Sequence, residues 1–334
     1  MSNPEKFIVI GSNCFSGACF VDYVLGENPD SHVTGISRSP EKEDFFLPYI
    51  SKGQDRFLFH SLNLNIQIEE IVSVIKEVRP DYIVNFSAQG MVAQSWDNPD
   101  QWFQTNGMAL MNLADRLKEE SFLKRFVQIS TPEVYGSCSG HITEDAPLNP
   151  STPYAASKAC GDLSLIPYHK NFNFPVVFTR ATNVYGAHQQ LYRIIPRTVI
   201  YIKQNKKIQL QGGGKAVKSY IHIRDVCAAT LQIARNGKNG EIYHISPDGE
   251  GISILGLVSL ICAKMGRPLD DCVTMVGERL GQDAFYLIDS NKLRDTLGWV
   301  PRIPLEEGIA EVIDWVEENF DSIQKCPLEY IHQP

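Results

Sequence analysis

The sequence has little that would put the chain in a membrane, on a nucleic acid or around a metal. Its opening, MSNPEKFIVIGS, has no basic stretch leading into an apolar run, so no secretory leader is expected. The stretch from Ile252 to Ala263 is interrupted and too short to span a bilayer. Basic residues form no stripe. The densest group is Lys203, Lys206 and Lys207, which a solvated helix end explains, and a net charge of −8 excludes a surface that neutralises a run of phosphates. Eight cysteines, at positions 14, 19, 138, 160, 227, 262, 272 and 326, include no CxxC pair and no zinc spacing. They read as small buried side chains in a reducing compartment, with no metal site. No internal repeat or low-complexity linker appears. A soluble, cytoplasmic protein without nucleic-acid or membrane partners is the expectation.

With those classes removed, 334 residues at 43% hydrophobic are enough to bury one large α/β core and a smaller lobe. Short apolar runs read as buried strands at Phe7 to Ile10, Val33 to Ile36, Phe57 to Phe59, Tyr82 to Phe86, Phe126 to Ile129 and Val176 to Thr179. Helical patterns lie between them, as at Ile66 to Val78 and Gln101 to Leu117. This βαβα rhythm predicts an α/β fold, a doubly wound parallel sheet covered on both faces. After about residue 187 the rhythm loosens into a helix near Ile194 to Ile202, a turn at Gly212, Gly213 and Gly214, and a helix from Leu305 to Phe320. Residues 1–187 are therefore expected to form a Rossmann-type dinucleotide-binding domain, and 188–334 a smaller α/β substrate lobe interleaved with it.

The first strand runs into Gly11, Ser12, Asn13, Cys14, Phe15, Ser16 and Gly17 and then an apolar helix. Strand, glycine turn, helix is what a dinucleotide needs: Gly11 for the tight turn, Gly17 for close helix packing, and pyrophosphate at the helix N-terminus. Cys14 stands where a middle glycine is usual. The second strand ends in Ser37 and Arg38 with no acidic residue to hold a ribose 2′-hydroxyl, so NADP is favoured over NAD. Tyr154 and Lys158, four residues apart, fall on one helix face, where the ammonium can stabilise a tyrosinate and make Tyr154 a base.

Ordered pieces from residue 6 to about 300 carry a more specific likeness: GSNCFSGA, NFSAQ (85–89), TN (105–106), STPEVYG (130–136), PYAASK (153–158), RATNVYG (180–186) with Gln189, GGG (212–214), SYIHIRDV (219–226), GEIYHIS (240–246) and RLGQDAFYLID (279–289). The chain resembles the extended short-chain dehydrogenase/reductase superfamily, and within it the nucleotide-sugar 4,6-dehydratases of the dTDP-glucose and GDP-mannose type. That resemblance implies a homodimer acting on a nucleotide-diphosphate sugar with recycled NAD(P)+. Asn63, Leu64, Phe86, Ser87, Ala88 and Asn106 would join the glycine turn, Tyr154 and Lys158 in holding the cofactor. Tyr154 would deprotonate the hydroxyl at carbon 4 with Thr131 on the same oxygen, and Glu133 would remove the proton at carbon 5. Gln89, Thr131, Asn183, Gln189, Lys218 and Arg279 would bind substrate, while Arg193 and Arg197 face either the diphosphate or solvent.

Three departures bear on the reaction. Pro132 replaces the aspartic acid that protonates the leaving hydroxyl in dTDP-glucose dehydratases; GDP-mannose-type relatives have a serine there, and protonated Glu133 or a water could serve. Met91 replaces a usual histidine, and Lys218 and Phe285 replace arginines that hold the diphosphate. Three readings follow: the dehydratase; a 4-epimerase or UDP-glucuronate decarboxylase; and a cofactor-binding regulatory protein without turnover.

Overall fold

The computed structural model describes residues 4–52, 55–138, 140–277 and 287–333. Seven strands make the main sheet: β1 (Lys6–Ile10), β2 (His32–Ser37), β3 (Phe57–Ser61), β4 (Tyr82–Asn85), β5 (Arg125–Ile129), β6 (Val176–Ala181) and β7 (Ile242–Ile245). They lie in the order β7-β6-β5-β4-β1-β2-β3, each pair parallel. Parallel strands need crossovers, and these are helices α1 (Phe15–Glu27), α2 (Ile68–Val78), α3 (Pro99–Phe103), α4 (Ala109–Leu117) and α5 (Pro153–Phe172), with α6 (Ile194–Lys203) and α7 (Ile223–Asn236) further on.

Alternation along β1 feeds both faces. Phe7 and Val9 pack with Phe20 and Val24 of α1 and with Ala229 and Ile233 of α7. Ile8 and Ile10 pack with Ile71 of α2, Leu113 of α4 and Leu165 of α5. Each such buried side chain contributes about 1.5–3 kcal/mol, which is why the strands read as nearly continuous apolar runs. A separate core lies under α6, where Ile195 and Val199 meet Leu257, Ile261, Ile309 and Val312.

Two features differ from the sequence expectation. The helix expected over 101–117 is broken at Gln104–Met108 by a π-helical turn between α3 and α4. Gly161 of α5 sits so close that a Cβ there would lie 2.2 Å from the Asn106 carbonyl oxygen, and the widened turn accommodates this approach. The second difference is β7, a strand from beyond residue 187 that extends the main sheet. Its run IYHI hides the pattern because His244, fully buried, is held by the Tyr135 hydroxyl at 2.7 Å and faces the Asp289 carbonyl at 3.0 Å. Among the described residues no helix is long and apolar enough to cross a membrane, and no His/Cys/Asp/Glu group could hold a metal.

Candidate active site

The chain leaves β1, builds β2 and β3 outward, then crosses back to set β4 on the other side of β1. The ends of β1 and β4 therefore diverge into a crevice, the place where doubly wound sheets bind ligands. Gly11, at φ +84°, makes the turn there, and a Cβ on it would lie 2.7 Å from the Ser87 amide nitrogen. Gly17 is packed as closely, its would-be Cβ 2.2 Å from the Gly11 carbonyl oxygen. Cys14 caps α1, its Sγ accepting from the Gly17 amide at 3.3 Å. Burial raises the Cys14 pKa, so the cap is a neutral thiol.

Asn13 ties this turn to the loop after β2. Its amide donates to Ser37 Oγ at 2.9 Å, and its Oδ1 accepts from the Lys42 amide at 3.2 Å. The resulting groove, about 240 Å³, is lined by Gly11, Asn13 and Cys14 after β1, Ser37 to Ser39 and Lys42 at and after the end of β2, Asn63 and Leu64 after β3, and Phe86 to Gln89 after β4. No carboxylate is among its lining residues. A groove lined by Gly11 and Cys14, the N-cap of α1, so that it opens at the first turn of a helix, fits a dinucleotide.

Cys14 and Phe86 also line a second cleft of about 550 Å³ at the C-terminal end of β5. Thr131 begins it: Oγ1 accepts from the Glu133 amide at 3.3 Å and caps a short turn, Pro132–Tyr135, with proline in its first position. Opposite, Thr152 caps α5 through Oγ1, which accepts from the Ala155 amide at 3.1 Å, and Pro153 follows it. The two caps fix Thr131, Glu133 and Tyr154 around one cleft. Burial raises the Tyr154 pKa, the Glu133 charge raises it further, and a hydrogen bond with Thr131 opposes them.

Lys158 departs from the expected role. Its Nζ donates to the Ile129 carbonyl at 2.7 Å, and burial lowers its pKa to about 8 against the pull of Asp162. Within this structure the ammonium is thus directed at the end of β5, and the Tyr154 proton is held more tightly than in water. Asp162 of α5 accepts from Arg180 Nη2 of β6 at 2.8 Å and from Ser130 Oγ, just after β5, at 2.6 Å. Asn106, buried behind the groove, pairs with both backbone groups of Gln89, at 2.9 and 3.0 Å, and donates to Ser157 Oγ on α5 at 2.9 Å.

The family described as GDP-mannose 4,6 dehydratase matches residues 8–312. The chain belongs to that family. A dTDP-glucose 4,6-dehydratase of Streptomyces niveus is 35% identical over 240 residues, 72% of this chain and 70% of that one. Another from Xanthomonas campestris pv. campestris is 31% identical over 274 residues, 76% and 77% of the two chains. Among solved structures, a dTDP-glucose 4,6-dehydratase from Streptomyces venezuelae with NAD bound superimposes with a TM-score of 0.87 at 29% identity, covering 95% of this chain and 98% of that one. A UDP-glucuronic acid 4-epimerase from Bacillus cereus, with UDP-glucuronic acid and NAD, gives 0.85 at 25% identity, covering 94% and 99%. Its similar score shows that the fold is shared with an enzyme of different named activity.

Not every residue expected at the substrate lies in the second cleft. Asn183 and Gln189 do, Asn183 donating to the Ser219 carbonyl at 3.0 Å and Gln189 to Val184 at 2.8 Å. Gln89 lines the dinucleotide groove instead, its side-chain amide donating to the Gln333 carbonyl at 2.9 Å. Lys218 pairs with Ile252 in a small antiparallel ladder and lines a different cleft, beside Asp248 and Glu250. Arg279 and Phe285 lie outside the described residues. Arg193 lines the cleft, whereas Arg197 pairs with Glu329 at 2.6 Å. Sequence reasoning missed Tyr192 in the cleft, Lys42 in the groove, and Asp162. Only Asp162 had a signal, four residues beyond Lys158 on the same helix.

Proposed function

We propose that this chain is a nucleotide-sugar 4,6-dehydratase that converts an NDP-hexose to the 4-keto-6-deoxy sugar and water. One observation carries the reading: Glu133 stands at the end of β5 in the same cleft as Tyr154 and Thr131, close enough for its charge to act on the phenol. An oxidised dinucleotide held by the groove of Gly11, Asn13, Ser37 and Arg38 would supply the hydride acceptor and donor that carbons 4 and 6 require, together with a positive charge. Tyr154 takes the proton of the hydroxyl at carbon 4 while Thr131 holds the same oxygen. The ketone so formed acidifies carbon 5, and Glu133 takes that proton. Pro132 offers no acid, so protonated Glu133 gives its proton to the departing hydroxyl, which leaves as water. Solvent then reprotonates carbon 5. Asn183, Gln189 and Arg193 line the space for the sugar and its diphosphate.

Glu133→Gln tests this. The variant should reduce the cofactor transiently with substrate and stall before water loss, and wild type in deuterated water should place deuterium on carbon 5. A variant that turns over at the normal rate with no deuterium there returns the assignment to a 4-epimerase, which needs no base at carbon 5.

For the cofactor we favour NADP over NAD, since Ser37, Arg38, Ser39 and Lys42 line the groove with no carboxylate to repel a 2′-phosphate. Named neighbours carry NAD, so the point needs its own test. Arg38→Ala should weaken NADP by about 1.5–3 kcal/mol in titration and hardly alter NAD. A wild-type preference for NAD removes the assignment. We assign residues 1–187 mainly to the dinucleotide and catalysis and 188–334 mainly to substrate. A homodimer is proposed through α5 and the helix before it, where Phe103, Met108 and Leu163 are exposed apolar side chains. A reducing cytoplasm suits eight cysteines that are all unpaired, and cell fractionation tests that location.

A further inference from the structure

The segment 329–333 crosses from the second lobe onto the dinucleotide groove and is anchored at both ends. On the lobe, Glu329 pairs with Arg197 at 2.6 Å, and the Tyr330 ring meets Tyr192 edge-on at 5.4 Å. Over the sheet domain, His332 stacks on the buried Trp102 at 5.3 Å and lies 2.6 Å from Gln101 Oε1. The backbone carbonyl of Gln333 then accepts from Arg38 Nη2 and from Gln89 Nε2, each at 2.9 Å. Arg38, Gln89 and Gln333 all line the groove. None of this is a surface accident of one contact, since four separate parts of the chain converge on Glu329, Tyr330, His332 and Gln333.

We propose that residues 329–333 are a strap across the cofactor site that retains the dinucleotide from one turnover to the next. The proposal rests on the dehydratase reading for its purpose. In that reaction the hydride leaves and returns within a single cycle, so cofactor release is not a step of turnover and slowing it costs no throughput. The strap holds Arg38 at the groove through the Gln333 carbonyl, and it ties Gln89 and so Asn106 to the same wall.

The test measures release of bound NAD or NADP, without sugar, by trapping with excess fluorescent analogue. It compares the full chain, a chain ended after Leu328, and His332→Ala. Release should accelerate by about tenfold or more in the shortened chain and by a smaller factor in His332→Ala. The thermal midpoint of the cofactor-free protein should hardly move in His332→Ala, which a merely structural role would not allow. Unchanged release in both folded variants, or slower release, overturns the proposal. If the shortened chain fails to fold, His332→Ala decides alone. Because no substrate is present, fast release with intact dehydration defeats only the strap, and tight retention without dehydration defeats only the assigned reaction.

Discussion

Tyr154 starts from an unfavourable position for a base, buried and beside the Glu133 carboxylate, with its proton held above the ordinary phenol range. Lys158 does not remedy this directly while its Nζ is bonded to the Ile129 carbonyl, so the phenol depends on Thr131 and on the charge that arrives with the cofactor. If Tyr154 is the base, Tyr154→Phe should retain cofactor affinity and cut turnover by about a hundredfold or more, the scale of a lost general base. Steady-state kinetics beside a cofactor titration check this, and near-normal turnover would remove Tyr154 from the chemistry. The spacing of Tyr154 and Lys158 was legible in the sequence because helix geometry alone puts them on one face. Where Lys158 points was not, since a carbonyl at the end of a distant strand captures it. Gln89 and Lys218 escaped for the same reason: the Gln89 side chain is held by the Gln333 carbonyl and Lys218 lies in a ladder with Ile252, and neither partner is near in sequence.

Elements were easier to read than directions. Parallel strands buried on both faces are apolar throughout, so the inner strands stand out in the sequence. β3 is found as an apolar run but is an edge strand with Leu58 57% exposed, not the buried strand expected there, and β7, with His244 inside it, does not stand out. The π-helical turn at Gln104–Met108 had no signal because its cause, the close approach of Gly161, lies on another helix. That approach also fixes how α5 presents its outer face. Leu163 is 53% exposed there and Met108 47% exposed on the neighbouring turn, a patch that pairing with a second copy would cover. Leu163→Glu should then convert a dimer to a monomer in sedimentation velocity while leaving each chain folded. A wild-type chain that sediments as a monomer contradicts the dimer.

At the scale of the molecule, two clefts meet at Cys14 and Phe86, one shaped for a dinucleotide and the other holding Thr131, Glu133 and Tyr154. The glycine turn made the first legible, because only certain residues tolerate such approaches. The strap was invisible, since residues 329–333 carry no motif and act through position. Pro132 offers no acid for the departing hydroxyl, so loss of water is the step on which the central claim is tested. The measurement that bears on this most directly is incubation of the purified chain and cofactor with a panel of nucleotide-diphosphate hexoses and hexuronates, followed by mass spectrometry of the products. The account expects one hexose derivative to lose a single water and yield a 4-keto-6-deoxy sugar. Isomerisation without change of mass, loss of carbon dioxide from a hexuronate, or silence across the panel would contradict it.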